Sequence, residues 1–275
     1  MSKTETITYN IFNHDLPDPV RTVTLTDATL EDVQQVVEQG YCVREQLLSG
    51  DLLAELRAAV DELAEAQGGA AATGTGKGFG GLFIRNLVDK HPTFLQLLHY
   101  APTLSLARAL LGPQVQLHAM VLRVTYPGAP NQETQWHWHQ RVIPEPLPPL
   151  FSRPQVVDNL LYLDDTDEDT GGLAVIPGSH RWDHRELPNH DTREKSGQVT
   201  LFVPAGSCVT ASAALWHRAL PTLPTGKVRR LLIIGYSPTW MKQVDIPGDG
   251  LTRALLNNPE TDRETRELLG RAGYY

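Results

Sequence analysis

Apolar positions in the first part of the chain recur at helical spacing. Thr29 and Asp32 stand at cap spacing ahead of Val33, Val36 and Val37, which predicts a helix start. Gly40 ends that helix, and Tyr41-Cys42-Val43 reads as a short strand. Leu52, Leu53, Leu56, Val60 and Leu63 then fall on one face, with Glu55, Arg57, Asp61 and Glu62 between them and Ser49 or Asp51 as cap. Two more helical stretches are expected at about 92–100 and 102–111, ending at Gly112-Pro113.

From Val115 the period shortens. Strand-like runs cover 115–126, 156–163, 172–176, 199–203, 207–215 and 229–236. They are punctuated by Pro127-Gly128, Asp164-Asp165, Gly171-Gly172, Pro177-Gly178, Pro204-Ala205-Gly206 and Pro224-Thr225-Gly226. Many short strands at this spacing predict a sandwich, jelly roll or barrel rather than alternating βα units. No linker separates the helices from the strands. The expectation is therefore one domain over residues 1–275, mainly β with helices. Its helical part covers about 1–112, its β core about 113–240, and a C-terminal tail includes a short charged helix within 259–275.

Two loops stand out. Residues 68–81 are glycine-rich, but Ala72 occupies the place of a phosphate loop's first glycine and Gly78 follows Lys77 where Ser or Thr is needed. A mobile surface loop or active-site flap is the expectation. Residues 141–154 hold five prolines, which predicts a rigid extended loop that could close over substrate.

Composition narrows the class. The chain has 275 residues and a formal charge of −8, so it lacks the basic footprint of a nucleic-acid binder. It has no apolar run of bilayer length and no signal-peptide pattern at its start. Two cysteines, Cys42 and Cys208, make no disulfide framework and point to a reducing, cytoplasmic setting. Two cysteines also leave no thiolate set for a metal, which directs attention to the ten histidines.

The informative histidines are His137 and His139, in Gln135-Trp136-His137-Trp138-His139-Gln140, and His217, in Leu215-Trp216-His217-Arg218. If the first segment is extended, His137 and His139 point to one face. With a third imidazole from a distant strand they would form a partial coordination shell, and imidazole suits Fe, Zn, Cu and Ni. On spacing alone a pair of hydrogen-bonded histidines between aromatics is equally compatible. Arg229-Arg230 opens an apolar strand and offers a guanidinium for a carboxylate. Trp136, Trp138 and Trp216 flank the histidines as an apolar shell. The acidic turn Asp164–Asp169 lacks the spacing of a calcium loop and reads as solvated. His180, after the turn Pro177-Gly178-Ser179, reads as structural.

In combination these motifs resemble the phytanoyl-CoA dioxygenase-like branch of the Fe(II)/2-oxoglutarate oxygenases over about residues 28–245. The residues that carry the likeness are Gln135, His137, Gln140 and Pro144-Glu145-Pro146, then Leu163-Asp164-Asp165-Thr166 through Gly172. Pro177-Gly178-Ser179-His180, Ala205-Gly206-Ser207, His217, Arg229 and Tyr236 follow in the same order. The resemblance implies a double-stranded β-helix (jelly roll) flanked by helices, with His137 and His217 as iron ligands. It implies that Arg229 grips the distal carboxylate of 2-oxoglutarate, with Arg230 as the alternative one register away. Gln135 would be a second co-substrate contact, and Met120 would lie on a strand lining that pocket.

One position departs from the pattern. Where the family has its metal-binding aspartate, two residues after the first histidine, this chain has His139. A register that begins at His139 instead would put Arg141 at the aspartate position. The first register keeps Gln140 and the Pro-Glu-Pro segment in step, and imidazole ligates metal whereas guanidinium does not. Imidazole in place of carboxylate removes one negative charge from the metal shell and fills the space a halide would need. Three functions remain as expectations. One is an Fe(II)/2-oxoglutarate dioxygenase of secondary metabolism, using O2 to oxidise a small molecule at a three-histidine site. The second is a metal-dependent enzyme without 2-oxoglutarate, such as a three-histidine dioxygenase, lyase or isomerase. The third is a non-catalytic small-molecule binder on the same scaffold. No nucleic-acid or membrane partner is expected, and the protein would be a monomer or homodimer.

Overall fold

The computed structural model describes residues 4–12, 18–69, 80–139, 155–182, 191–245 and 250–271. In chain order the elements are β1 (Thr6–Asn10), β2 (Val20–Thr24), α1 (Leu30–Gln39), β3 (Tyr41–Arg44), α2 (Gly50–Ala66), β4 (Gly81–Arg85), α3 (Pro92–Leu95) and α4 (Ala101–Leu111). The strands β5 (Val115–Thr125), β6 (Val157–Tyr162), β7 (Leu173–Val175), β8 (Val199–Leu201), β9 (Cys208–Ser212), β10 (His217–Ala219) and β11 (Arg229–Pro238) follow, and α5 (Leu251–Asn257) and α6 (Arg263–Leu268) close the described chain.

Local chemistry sets the helix ends. The Thr29 hydroxyl accepts from the Asp32 N–H while the Asp32 carboxylate accepts from the Thr29 N–H, a reciprocal capping box. Gly40 terminates α1 at φ +87°, a left-handed conformation that a side chain disfavours. Ser49 caps α2 through the Leu52 N–H.

Two antiparallel sheets form the core. The larger has strand order β3-β9-β6-β11-β5-β4 and the smaller β10-β7-β8. Leu160, Tyr162, Val209, Ala211 and Leu231 of the larger sheet pack against Leu173, Val175 and Leu201 of the smaller. Alternate residues of the same large-sheet strands turn the other way. Met120, Leu122, Val124, Leu161, Leu232, Ile234 and Tyr236 pack with Leu56 and Val60 of α2, with Phe94 and with Leu104 of α4. The result is the double-stranded β-helix, mainly β with flanking helices. Strand runs were expected at each of β5 to β9 and at β11, and α1, α2 and α4 lie where the periodicity places them.

Three departures have physical causes. Residues 6–10 and 20–24 lie in a region expected to be helical but pair as an antiparallel hairpin, and β4 extends the large sheet at its edge. The hairpin is held onto α4 by the Tyr9 hydroxyl, which donates to the carbonyls of Arg108 and Ala109 at the helix C-terminus. The expected helix at 92–100 is one α turn followed by a 3-10 turn at Gln96–His99, because Tyr100 is extended (ψ 99°) and α4 starts afresh after it. The acidic turn is not simply solvated. Asp164 pairs with Arg230, Asp165 accepts from the Ala205 N–H, and Asp167 accepts from the Thr170 N–H.

Cys42 and Cys208 are buried free thiols, as a chain without a disulfide framework requires. Among the described residues no helix is long and apolar enough to cross a membrane. Most of the glycine-rich loop, Gln140, Arg141 and the proline-rich loop lie outside the described residues.

Candidate metal centre

His137 and His217 face each other across an isolated antiparallel bridge, each backbone N–H donating to the other's carbonyl at 3.0 Å. The His139 N–H donates to the Ala213 carbonyl at 2.7 Å, so 137–139 runs extended beside the start of β10. Strand alternation then sorts the side chains. Trp136 packs with Ala174, Ile176 and Trp216 on one side, with Trp138 against them, while His137 and His139 meet His217 on the other. The expected alignment of both histidines on one face, with tryptophans as an apolar shell, is the one observed.

One ring nitrogen from each of His137, His139 and His217 lies within 4.8 Å of the other two. Each Nδ1 has an acceptor beside it. His137 Nδ1 is 2.7 Å from the Gln135 carbonyl, His217 Nδ1 is 2.8 Å from the Leu215 carbonyl, and His139 Nδ1 is 2.8 Å from Asp158 Oδ2. An acceptor at each Nδ1 selects the Nδ1–H tautomer and leaves the lone pair on Nε2. Burial, reinforced by the two neighbouring histidines, holds the His217 imidazole well below its ordinary pKa. Neutral imidazole is the ligating form. Three neutral nitrogen donors at this separation fit a first-row transition metal.

The arginines of β11 separate by strand parity. Arg229 is buried and shares the inner face with Leu231, donating to the carbonyls of Gly171 and, at 3.0 Å, of Leu220. A side chain at Gly171 would meet Arg229 Nη1 at 2.8 Å, so a glycine there makes room for the guanidinium. Arg230 turns to the helix side, bonded to Asp61 at 2.7 Å and Asp164 at 2.9 Å. It is therefore corrected as a co-substrate candidate, since both ends of its guanidinium are already ion-paired away from the inner face. Met120 is corrected for the same reason: it is fully buried opposite Ile234 in the helix-side core. Gln135 is exposed two residues before His137, and its carbonyl orients that ring. His180 is buried and bonded at 2.9 Å to the Val37 carbonyl, a structural role.

Sequence reasoning missed three inner-face residues. Arg123 on β5 stands opposite Leu231 of β11 and donates to the Gln132 carbonyl. Burial and the nearby Arg229 guanidinium push its pKa down to about 9. Tyr162 on β6, also opposite Leu231, is fully buried and pushed up to about 12, although both arginines oppose that rise. Asp158 is two positions along from Leu160 on the same strand. Each is a polar side chain on the inward parity of its strand, and that was the available signal.

A family model described as Phytanoyl-CoA dioxygenase (PhyH) matches residues 36–230. The dioxygenase trt7 of Aspergillus terreus is 25% identical over 218 residues, covering 73% of this chain and 70% of that one. Among solved structures, the non-heme alpha-ketoglutarate-dependent carbocyclase SnoK from nogalamycin biosynthesis is similar with a TM-score of 0.62 and 21% identity, covering 82% of this chain and 93% of that chain. HygX from Streptomyces hygroscopicus, solved with nickel and 2-oxoglutarate, has a TM-score of 0.62 at 17% identity, covering 81% and 95%. The match spans the strands that gather the three histidines and reaches Arg229 at the start of β11, so the chain belongs to the phytanoyl-CoA dioxygenase family of iron- and 2-oxoglutarate-dependent dioxygenases.

Proposed function

We propose that this protein oxidises a small molecule with O2 and 2-oxoglutarate, at an iron(II) held by His137, His139 and His217. The observation that carries the proposal is that one ring nitrogen from each of the three histidines lies within 4.8 Å of the other two, with each Nδ1 set against an acceptor. When bound, iron and 2-oxoglutarate supply the oxidising chemistry. The chain's own residues bind and orient.

The inner face of the large sheet supports a place for 2-oxoglutarate. At one end lies Asp158 with the histidines. At the other lie Arg229, Arg123 and Tyr162. Between them Ile233 is paired with Val121 and Leu160, an apolar stretch. A five-carbon dicarboxylate with an apolar middle matches that order: one carboxylate towards the metal end, the other on Arg229 by charge-assisted bonds. Desolvation strengthens such a contact, because a buried guanidinium meets the carboxylate in low dielectric. Gln135, at the exposed rim, would face the co-substrate from the His137 side. The named relatives, the dioxygenase trt7 of Aspergillus terreus and a carbocyclase from nogalamycin biosynthesis, support a secondary-metabolite substrate.

Anaerobic titration of iron-loaded protein with 2-oxoglutarate, followed by succinate detection under O2, tests this reading. Saturable binding lost in Arg229→Ala is the expected result. Iron-loaded protein that neither binds 2-oxoglutarate nor releases succinate with a broad metabolite mixture would overturn it. The all-nitrogen donor set favours one second reading, a metal enzyme without 2-oxoglutarate, because such a set suits zinc and copper as well as iron. In that case activity survives Arg229→Ala.

A further inference from the structure

We infer that Asp158 is a positioning residue of the metal centre, which sets the orientation and donor strength of His139. The inference rests on the metal reading above and adds to it a residue from a different strand.

Asp158 lies on β6, all six residues of which are buried. A carboxylate there is costly unless it is bonded. Among the described residues its ion-pair partner is His139, at 2.8 Å from Nδ1 to Oδ2. The sheet is shaped to keep it in place. Gly235, directly opposite on β11, would place a Cβ 2.7 Å from Asp158 Oδ1. Only a residue without a side chain leaves that oxygen its position. A buried acid and a facing glycine serve no evident packing purpose, because Leu160 and Ile233 fill the equivalent places one step along.

The three histidines differ in what holds them. His137 and His217 are oriented by backbone carbonyls, of Gln135 and Leu215, two residues away in sequence. Those acceptors are neutral and come with the local chain. His139 is held by a side-chain carboxylate from a distant strand. An anionic acceptor makes the imidazole a stronger electron donor through Nε2 and fixes its tautomer and ring plane more firmly than a carbonyl does. The three imidazoles themselves bring no charge to a dication. Asp158 supplies a negative charge one hydrogen bond away from it.

Cobalt(II) titration of chelator-stripped full-length protein tests this, read by calorimetry and by the visible cobalt spectrum, neither of which depends on activity. In Asp158→Asn, cobalt affinity should fall roughly 10- to 100-fold with a changed spectrum. Gly235→Ala should weaken cobalt binding in the same direction, since it displaces the acid without removing it. The decisive comparison uses His139→Asp. There a carboxylate at 139 faces that of Asp158, so adding Asp158→Asn should strengthen cobalt binding rather than weaken it. This reversal of sign is what a merely structural Asp158 cannot produce, and circular dichroism of each variant establishes that it is folded. Wild-type protein that binds cobalt, together with an Asp158→Asn affinity within about twofold of it, overturns the inference and leaves the metal reading standing. A loss of equal size in both backgrounds also overturns it. Wild-type protein that binds no cobalt removes the metal reading and this inference together.

Discussion

Arg229 and Arg230 are consecutive on β11, and their guanidinium groups lie on opposite faces of the large sheet. Arg229 is enclosed with the carbonyls of Gly171 and Leu220, whereas Arg230 bridges Asp61 of α2 and Asp164 of the acidic turn. One residue of strand parity therefore separates a cation enclosed on the inner face from one that ties a helix to the sheet. Arg230→Ala should cost about 1 kcal/mol in urea unfolding, as a half-exposed ion pair does, and leave 2-oxoglutarate affinity unchanged. Arg229→Ala should reduce 2-oxoglutarate affinity by roughly 30-fold or more, the loss of a buried charge-assisted bond. Calorimetry on both variants checks the pair, and equal effects on binding would contradict the assignment of faces.

Gly40 illustrates a constraint of shape rather than charge. It ends α1 at φ +87°, and an added Cβ would lie 2.6 Å from His180 Nδ1 and 2.7 Å from Leu215 Cδ1. Gly40→Ala combines a disfavoured backbone with an overpacked contact, so a loss of about 2–3 kcal/mol is expected. Chemical denaturation measures it directly. A loss below about 0.5 kcal/mol would mean that the helix end relaxes away from His180.

Parts of this architecture could be read from the residues, and parts could not. The caps of α1 and α2 were legible because Thr29, Asp32, Gly40 and Ser49 act within a few residues of themselves. Strands β5 to β9 and β11 were legible through their turns. The faces of β5 and β11 were not, because both faces are buried and the apolar run shows no alternation. Parity was lost with it, and Met120 was placed on the wrong side. The hairpin β1–β2 is threonine-rich and half exposed, too weak a pattern against the helical background. His137, His139 and His217 were legible as a set from spacing and family likeness. The bond from His139 to Asp158 was not, since an acid on a strand gives no hint of which distant side chain it meets.

Histidine burial predicts an acid-side loss of stability. Burial holds the His180 imidazole below its ordinary value, with its Nε2 facing the Val37 carbonyl. The unfolded chain then takes up the proton first, at about pH 6.5. The stability this residue contributes is complete above that pH and declines as pH falls towards the lower folded value. The slope is at most about 1.4 kcal/mol per pH unit for one such proton. His118, lowered mainly by burial as well, adds to the trend with the same sign. Urea unfolding of His180→Gln between pH 7 and 5 should give a shallower decline than wild type. An unchanged slope would assign the acid limb to other groups.

Metal binding should also register as stability, because the three histidines come from two chain segments 78 residues apart that only the folded state brings together. A ligand bound at a hundred times its dissociation constant adds about 2.7 kcal/mol to the folded state. For a chain of this size that raises the melting temperature by roughly 5–10 °C. Iron(II) under anaerobic conditions, or cobalt(II) in its place, should therefore shift the thermal transition upward, and a chelator should reverse the shift. His137→Ala and His217→Ala should each abolish it, since two donors hold a first-row ion far less firmly than three. His180→Gln, whose ring is bonded to the Val37 carbonyl of α1, should retain the full shift although its own melting temperature differs. A metal-induced shift that survives loss of His137 or His217 would place the bound ion elsewhere on the protein.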